Sequence, residues 1–146
     1  MGWAVSKRIP VLIIGALPPS ESFGAAATVQ TALALADAFA VTVVISDTAA
    51  PSSVFQDENS AVETIRMRAL KAAPEAYKNH RRLYVLGDSY ESLFAVELYL
   101  LAPGLVIAPD GAINRLLMAH HACQSGWPEN YAKWLLEILG AEGAVI

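Results

Sequence analysis

Two apolar runs in the second half of the chain end in residues able to do chemistry. Leu83-Tyr84-Val85-Leu86 stops at Gly87-Asp88-Ser89, and Leu105-Val106-Ile107-Ala108 stops at Pro109-Asp110, with Asn114 four residues on. A carboxylate and an amide such as Asp110 and Asn114 supply directed acceptors and donors for hydroxyl groups. Asp110 has an equally ordinary use as the N-cap of a helix over 111–122. Both uses can hold together. Ser89, placed just after a strand, could also act as a nucleophile, provided that a histidine base and an orienting acid come within reach. His120, His121 and Cys123 look like a metal set, but adjacent histidines on a helix point about 100° apart and no second cluster completes a tetrahedron. A solvated or capping role near Gly126 fits them better, and no metal site is expected.

The elements that must position these residues follow from hydrophobic period and punctuation. Residues 83–86 and 105–108 have the length and apolar continuity of buried strands, and the segment from 89 to 101 between them is helical, ended by Ala102-Pro103-Gly104. Upstream, 9–14 predicts a strand, 15–23 an irregular Pro/Ser/Gly loop, and 24–39 a helix with Val29, Ala32, Leu33, Ala36 and Phe39 inward. Val41, Val43, Val44 and Ile45 then switch to β-branched strand character. Residues 47–60 read as a loop with a short turn of helix, 62–67 as a weaker strand and 74–79 as a short helix. Ile113, Leu116 and Leu117 mark one late helix. Tyr131, Trp134, Leu135, Ile138 and Leu139 mark another, opened by Pro128 and stopped by Gly140. Alternating strands and helices predict an α/β, Rossmann-like, doubly wound parallel sheet of order 3-2-1-4-5, a single domain over 1–146. Its switch point falls between the first and fourth strands. There the 17–24 loop would lie beside Gly87-Asp88-Ser89, and Gly24 would let backbone approach a ligand while the next helix's first amides favour an anion. The plainer role of Gly24 is to start a helix and pack it. A dinucleotide fingerprint is absent, since Gly15-Ala16-Leu17 lacks the later glycines.

Composition narrows the classes. A chain of 146 residues, 55% hydrophobic, can bury one core without staples. Its formal charge of -4, with no basic stripe beyond Lys78 to Arg82, argues against nucleic-acid binding. The single Cys123 permits a reducing compartment and reads as a small buried hydrophobe. Lys7-Arg8 before IPVLIIGAL imitates a signal peptide, but Pro10 interrupts the run and Pro18-Pro19 follows it. Met1-Gly2-Trp3-Ala4-Val5-Ser6 imitates a myristoylation signal, a short pattern that chance explains. No apolar run reaches membrane-spanning length.

Tyr84-Val85-Leu86-Gly87-Asp88-Ser89, a helix, Pro103-Gly104, an apolar strand and Asp110 stand in an order that resembles the amino-terminal domain of family 4 glycosyltransferases of the GT-B type. The early segment VLIIGALPPSESFGAAATVQTALALADAFAVTVVI is similar to that family's first strand, Leu-Pro-Pro loop, helix and second strand, and ENYAKWLLEILGAEG to its Tyr-rich closing helix. The resemblance covers most of the chain, least between 48 and 82. It implies one half of a GT-B fold: the acceptor-side domain of an enzyme that moves a sugar from a nucleotide-sugar co-substrate to a hydroxyl acceptor, inactive alone and cytoplasmic. It implies no further cofactor. By resemblance, Ser22 and Gly24 belong to the donor-phosphate loop, Asp88, Ser89 and Asn114 bind substrate, and Asp110 is the catalytic residue. The donor-binding domain, with its spaced Glu pair, would follow Ile146, making this a piece of a longer protein. Further partners that the apolar outer strip of the 89–101 helix invites are a second copy or a peripheral membrane contact.

The chain departs from the family pattern at telling places. Pro109-Asp110 replaces His-Asp, Asn114 or Arg115 stands where a second His is usual, Asp88 replaces Asn, and Ala27 sits near an acidic position. The lost imidazoles leave room for a different class, a stand-alone non-catalytic Rossmann-like binding or assembly module. A third class, the Gly-Asp-Ser hydrolases, usually carries the motif after the first strand with Asp-x-x-His near the end. Here it follows the fourth strand, and Leu117 stands three before His120.

Overall fold

A computed structural model describes residues 7–139. β1 (Ile9–Ile14) lies at the centre, between β2 (Phe39–Ile45) and β4 (Arg81–Val85), with β3 (Val62–Arg66) and β5 (Leu105–Ile107) outside them. The order is β3-β2-β1-β4-β5 with every pairing parallel, the doubly wound α/β arrangement that the pattern predicts. Val11 stands between Val41 and Arg81, and Ile14 between Val44 and Tyr84. Successive β1 side chains therefore feed opposite layers, Val11 and Ile13 one core, Leu12 and Ile14 the other. A strand covered on both faces has to be apolar throughout, which is why these runs do not alternate.

Helix α1 (Phe23–Ala36) covers the first face with small residues, Gly24, Ala25, Thr28, Ala32 and Ala36. Of the expected inner stripe Ala32 and Ala36 are buried and Val29 packs on the core, whereas Leu33 is 58% exposed and Phe39 belongs to β2. Small side chains bring the helix axis close to the sheet, and a Cβ on Gly15 would collide with the Thr28 hydroxyl. The β2–β3 connection carries no helix. Ala49 and Phe55 pack on the same face instead, and the Arg66 guanidinium donates to the carbonyls of Ser46, Asp47 and Ala49 at 3.0 Å each.

The second face carries α2 (Met67–Ala72), α3 (Leu93–Leu101) and α4 (Asn114–Ala122), represented in its core by Leu70, Phe94 and Leu116. Helix α2 takes Met67, which the periodicity assigns to the preceding strand, and the predicted 74–79 helix is a 3-10 turn over Pro74–Tyr77. Another 3-10 turn, Tyr90–Ser92, occupies the start of the predicted 89–101 helix. Phe94, Ala95, Val96 and Leu98 of α3 are buried, while Leu100 and Leu101 face outward. Helix α4 starts at Asn114 rather than 111, and α5 (Glu129–Leu139) packs on it through Tyr131 and Trp134, whose rings lie 5.3 Å from that of His121. Cys123 is exposed at the end of α4, where its N–H closes on Ala119, so the buried role is corrected. The first six residues with the myristoylation-like pattern, the Gly140 stop, and the side chains of Leu135, Ile138 and Leu139 lie outside the described residues, whereas the apolar run after Lys7-Arg8 forms β1. Among the described residues, no helix is long and apolar enough to cross a membrane.

Candidate functional site

The carboxyl edge of the sheet gathers three turns. After β4 the chain passes the buried Gly87, whose N–H donates to Ser92 Oγ at 3.0 Å. Across from it lies Gly24, so close that a Cβ there would sit 3.2 Å from Gly87 Cα and 3.3 Å from its nitrogen. A side chain at either position would push these two backbones apart by a few tenths of an ångström. The loop after β1 thus meets the turn after β4 at the switch point, and Ser22 caps α1 by accepting the Ala25 N–H at 3.1 Å.

Asp88 and Asp110 meet directly. The Asp88 N–H donates to Asp110 Oδ2 at 2.9 Å. Asp88 in turn accepts the Leu116 N–H on Oδ1 at 2.9 Å and the Arg115 Nε–H on Oδ2 at 3.0 Å. The carboxylate that anchors the start of α4 is therefore Asp88, from 28 residues away, and the expected N-cap role of Asp110 is corrected: Ile113 holds the cap position with no side-chain bond. Burial pushes the Asp88 carboxyl up, but the Leu116 amide and the Arg115 guanidinium outweigh it and hold it below the ordinary carboxylate value. Asn114 turns to α5 and accepts from the Tyr131 hydroxyl. Ser89 Oγ is buried without a hydrogen-bond partner among the described residues.

Two cavities open along this edge, with Tyr90 in the wall of both. The smaller, of about 310 Å³, is lined by Asp88 and Ser89 together with Arg115, Met118 and Trp127. Ser22, Gly24, Asp110 and Asn114 are not in its lining, and no histidine is there to serve Ser89 as a base. The larger, of about 530 Å³, lies over the ends of β1 and β2 and contains Ser20, Ser46, Thr48 and Glu91. Of the residues named from the sequence, Asp88 and Asp110 are brought together, Gly24 in the first turn of α1 meets Gly87 next to Asp88, Ser22 caps that helix, and Asn114 is directed elsewhere. Sequence reasoning passed over Tyr90, Glu91, Ser46 and Thr48. The first two were counted into a helix that begins only at Leu93. The others follow β2 directly, and the rule that ligands gather beyond strand ends would have found them.

The arrangement offers hydroxyls, carboxylates and one guanidinium over an open edge, chemistry suited to recognising a polyhydroxylated ligand. Among the described residues no group of three or more His, Cys, Asp or Glu side chains could hold a metal ion. No protein-family model, curated protein or solved structure matches the chain.

Proposed function

We propose that this chain is the acceptor-side domain of a two-domain glycosyltransferase of the GT-B type, which moves a sugar from a nucleotide-sugar donor to a hydroxyl acceptor and is inactive without its donor-binding domain. The observation that carries this reading is the meeting of Gly24 with Gly87 and of Asp88 with Asp110 at the switch point of a parallel sheet, where a second domain could close over an open polar crevice. In this reading the Ser22–Gly24 loop takes the donor phosphates and Asp88 and Ser89 border the substrate. Asp110, with one oxygen fixed by the Asp88 amide, directs the other at the reacting hydroxyl as the catalytic carboxylate. Asn114, held by Tyr131, shapes the rim. Transfer needs donor and acceptor held together across the cleft. The isolated 146-residue chain is therefore expected to transfer no sugar from any nucleotide sugar. The product of the complete reading frame should do so and lose the activity in Asp110→Ala. Turnover by the isolated chain, or full activity of that variant, would refute the reading.

A second reading, the stand-alone binding module, is favoured by one observation: both Asp88 oxygens and one Asp110 oxygen hold the protein's own backbone and Arg115. A stop codon directly after Ile146, together with a ligand bound but not altered, would decide for it.

A further inference from the structure

We infer that the larger cavity, over the ends of β1 and β2, binds a neutral saccharide of one or two rings through Glu91 and the hydroxyls of Ser20, Ser46 and Thr48, with Tyr90 as its stacking wall. Its volume of about 530 Å³ lies within the roughly 300–1,000 Å³ of small-molecule sites. None of the side chains assigned to the transferase crevice lines it.

The ligand's class follows from charge and from the kind of hydrogen bond on offer. Glu91 is the only carboxylate in the lining and no Lys or Arg joins it. The nearby Arg66 is spent on the carbonyls of Ser46, Asp47 and Ala49. A phosphate ester would face Glu91 with no cation to offset the repulsion. Hydroxyls, by contrast, both donate and accept, and so match sugar hydroxyls whichever way these turn. The ones here are already ordered. Ser46 Oγ and Thr48 Oγ1 lie 3.0 Å apart, and Ser20 donates to Glu91 Oε2. Ser20 Oγ in turn accepts the N–H of Ser22 at 3.2 Å, and Ser22 accepts the Ala25 amide on its own hydroxyl. A chain of hydrogen bonds thus runs from the first turn of α1 to Glu91 and fixes that carboxylate. Among the described residues no hydrogen bond reaches Glu91 Oε1, which is left for a ligand hydroxyl. Leu93 and Phe94 offer apolar surface to the C–H face of a sugar ring, and Tyr90, 77% exposed, can stack on the opposite face. A lone carboxylate also suits an amine, but here one already engaged carboxylate stands among three serine and threonine hydroxyls, which favours the neutral polyol.

The inference rests on the transferase reading for the ligand's role as acceptor, not for its binding. It is tested by amide chemical-shift titration of the whole chain with maltose, cellobiose and methyl α-mannoside, alongside glucose 6-phosphate and putrescine. At least one neutral sugar should give saturable shifts at Ser20, Ser46, Thr48 and Glu91. Binding should weaken about tenfold in Glu91→Gln, the loss of one hydrogen bond to a charged group, and also in Tyr90→Ala, with the dispersed spectrum of each variant reporting an intact fold. No saturable shift with any neutral sugar, tighter binding of glucose 6-phosphate or putrescine, or unchanged binding by folded Glu91→Gln overturns the inference. Sugar binding by a complete protein that transfers nothing would sink the transferase reading and leave this one standing.

Discussion

Asp88 is held from three sides: its own N–H donates to the Asp110 carboxylate, and its carboxylate accepts an amide of α4 and the Arg115 guanidinium. Removing its carboxylate should act like removing a helix cap. Asp88→Ala is expected to lower stability by about 1–2 kcal/mol in urea unfolding, with faster hydrogen exchange at the first amides of α4; an unchanged midpoint would show the anchor to be idle. The shift direction gives the pH dependence its sign. A carboxyl lowered in the folded state contributes fully above its unfolded value, and that contribution is lost as pH falls through the lower folded value. Gly24 makes a sharper test of the crevice. In Gly24→Ala the new Cβ meets Gly87 backbone on both Cα and nitrogen, neither of which can rotate away. An overpacking cost of about 1–3 kcal/mol follows, and a variant as stable as the parent would mean that α1 yields freely. Asp88 was legible as a polar residue beyond a strand end, but not as an anchor. Its partner Leu116 is 28 positions away, whereas Asp110, just before the helix, carried the local signal.

Helices were read well where their inner faces carry large residues and poorly where they do not. In α1 the buried stripe is Gly24, Ala25, Thr28, Ala32 and Ala36, so size pointed to the exposed Leu33. The α4–α5 pair shows what aromatic packing adds. His121 lies among His120, Tyr131 and Trp134, and burial, helped by the neighbouring His120, lowers its pKa. Its neutral ring is the folded form, so the stability it lends is complete above the unfolded value of about 6.5 and drains away as pH falls through the folded one. His80, lowered by burial and by Arg82, works in the same direction. Acidifying from about pH 7 to about pH 5 should therefore lower the urea midpoint. His121→Phe should remove part of that loss, and an equal slope in parent and variant would count against the packing role.

The molecule's topology was the most legible feature, because four apolar runs separated by helical or loop segments of sufficient length leave few ways to build a parallel sheet. The connections over 24–39 and 89–101 read as helices and 47–60 as a loop, as found, but the short α2 after β3 was not legible. The stretch after β2 had the composition of a loop, and only the three-dimensional fold shows that it covers a core face. One flank of the sheet ends on β5, where Leu105 is 69% exposed, and Leu100 and Leu101 at the end of α3 also face outward. An edge strand with apolar side chains and unpaired backbone groups invites a second chain. The protein is expected to associate with rising concentration, and Val106→Lys should shift light scattering toward the monomer. A parent that stays monomeric throughout would remove the edge as an interface.

On the opposite flank, Arg66 alone gathers three carbonyls of the helix-free segment after β2, while Ala49 and Phe55 close the core beneath it. A single cation thus stands in for a whole turn of regular backbone bonding. Beyond Ala50, which ends its share of the saccharide cavity, that segment can be lengthened or recut without unravelling any ladder of hydrogen bonds, and Arg66 is the residue any such graft has to keep.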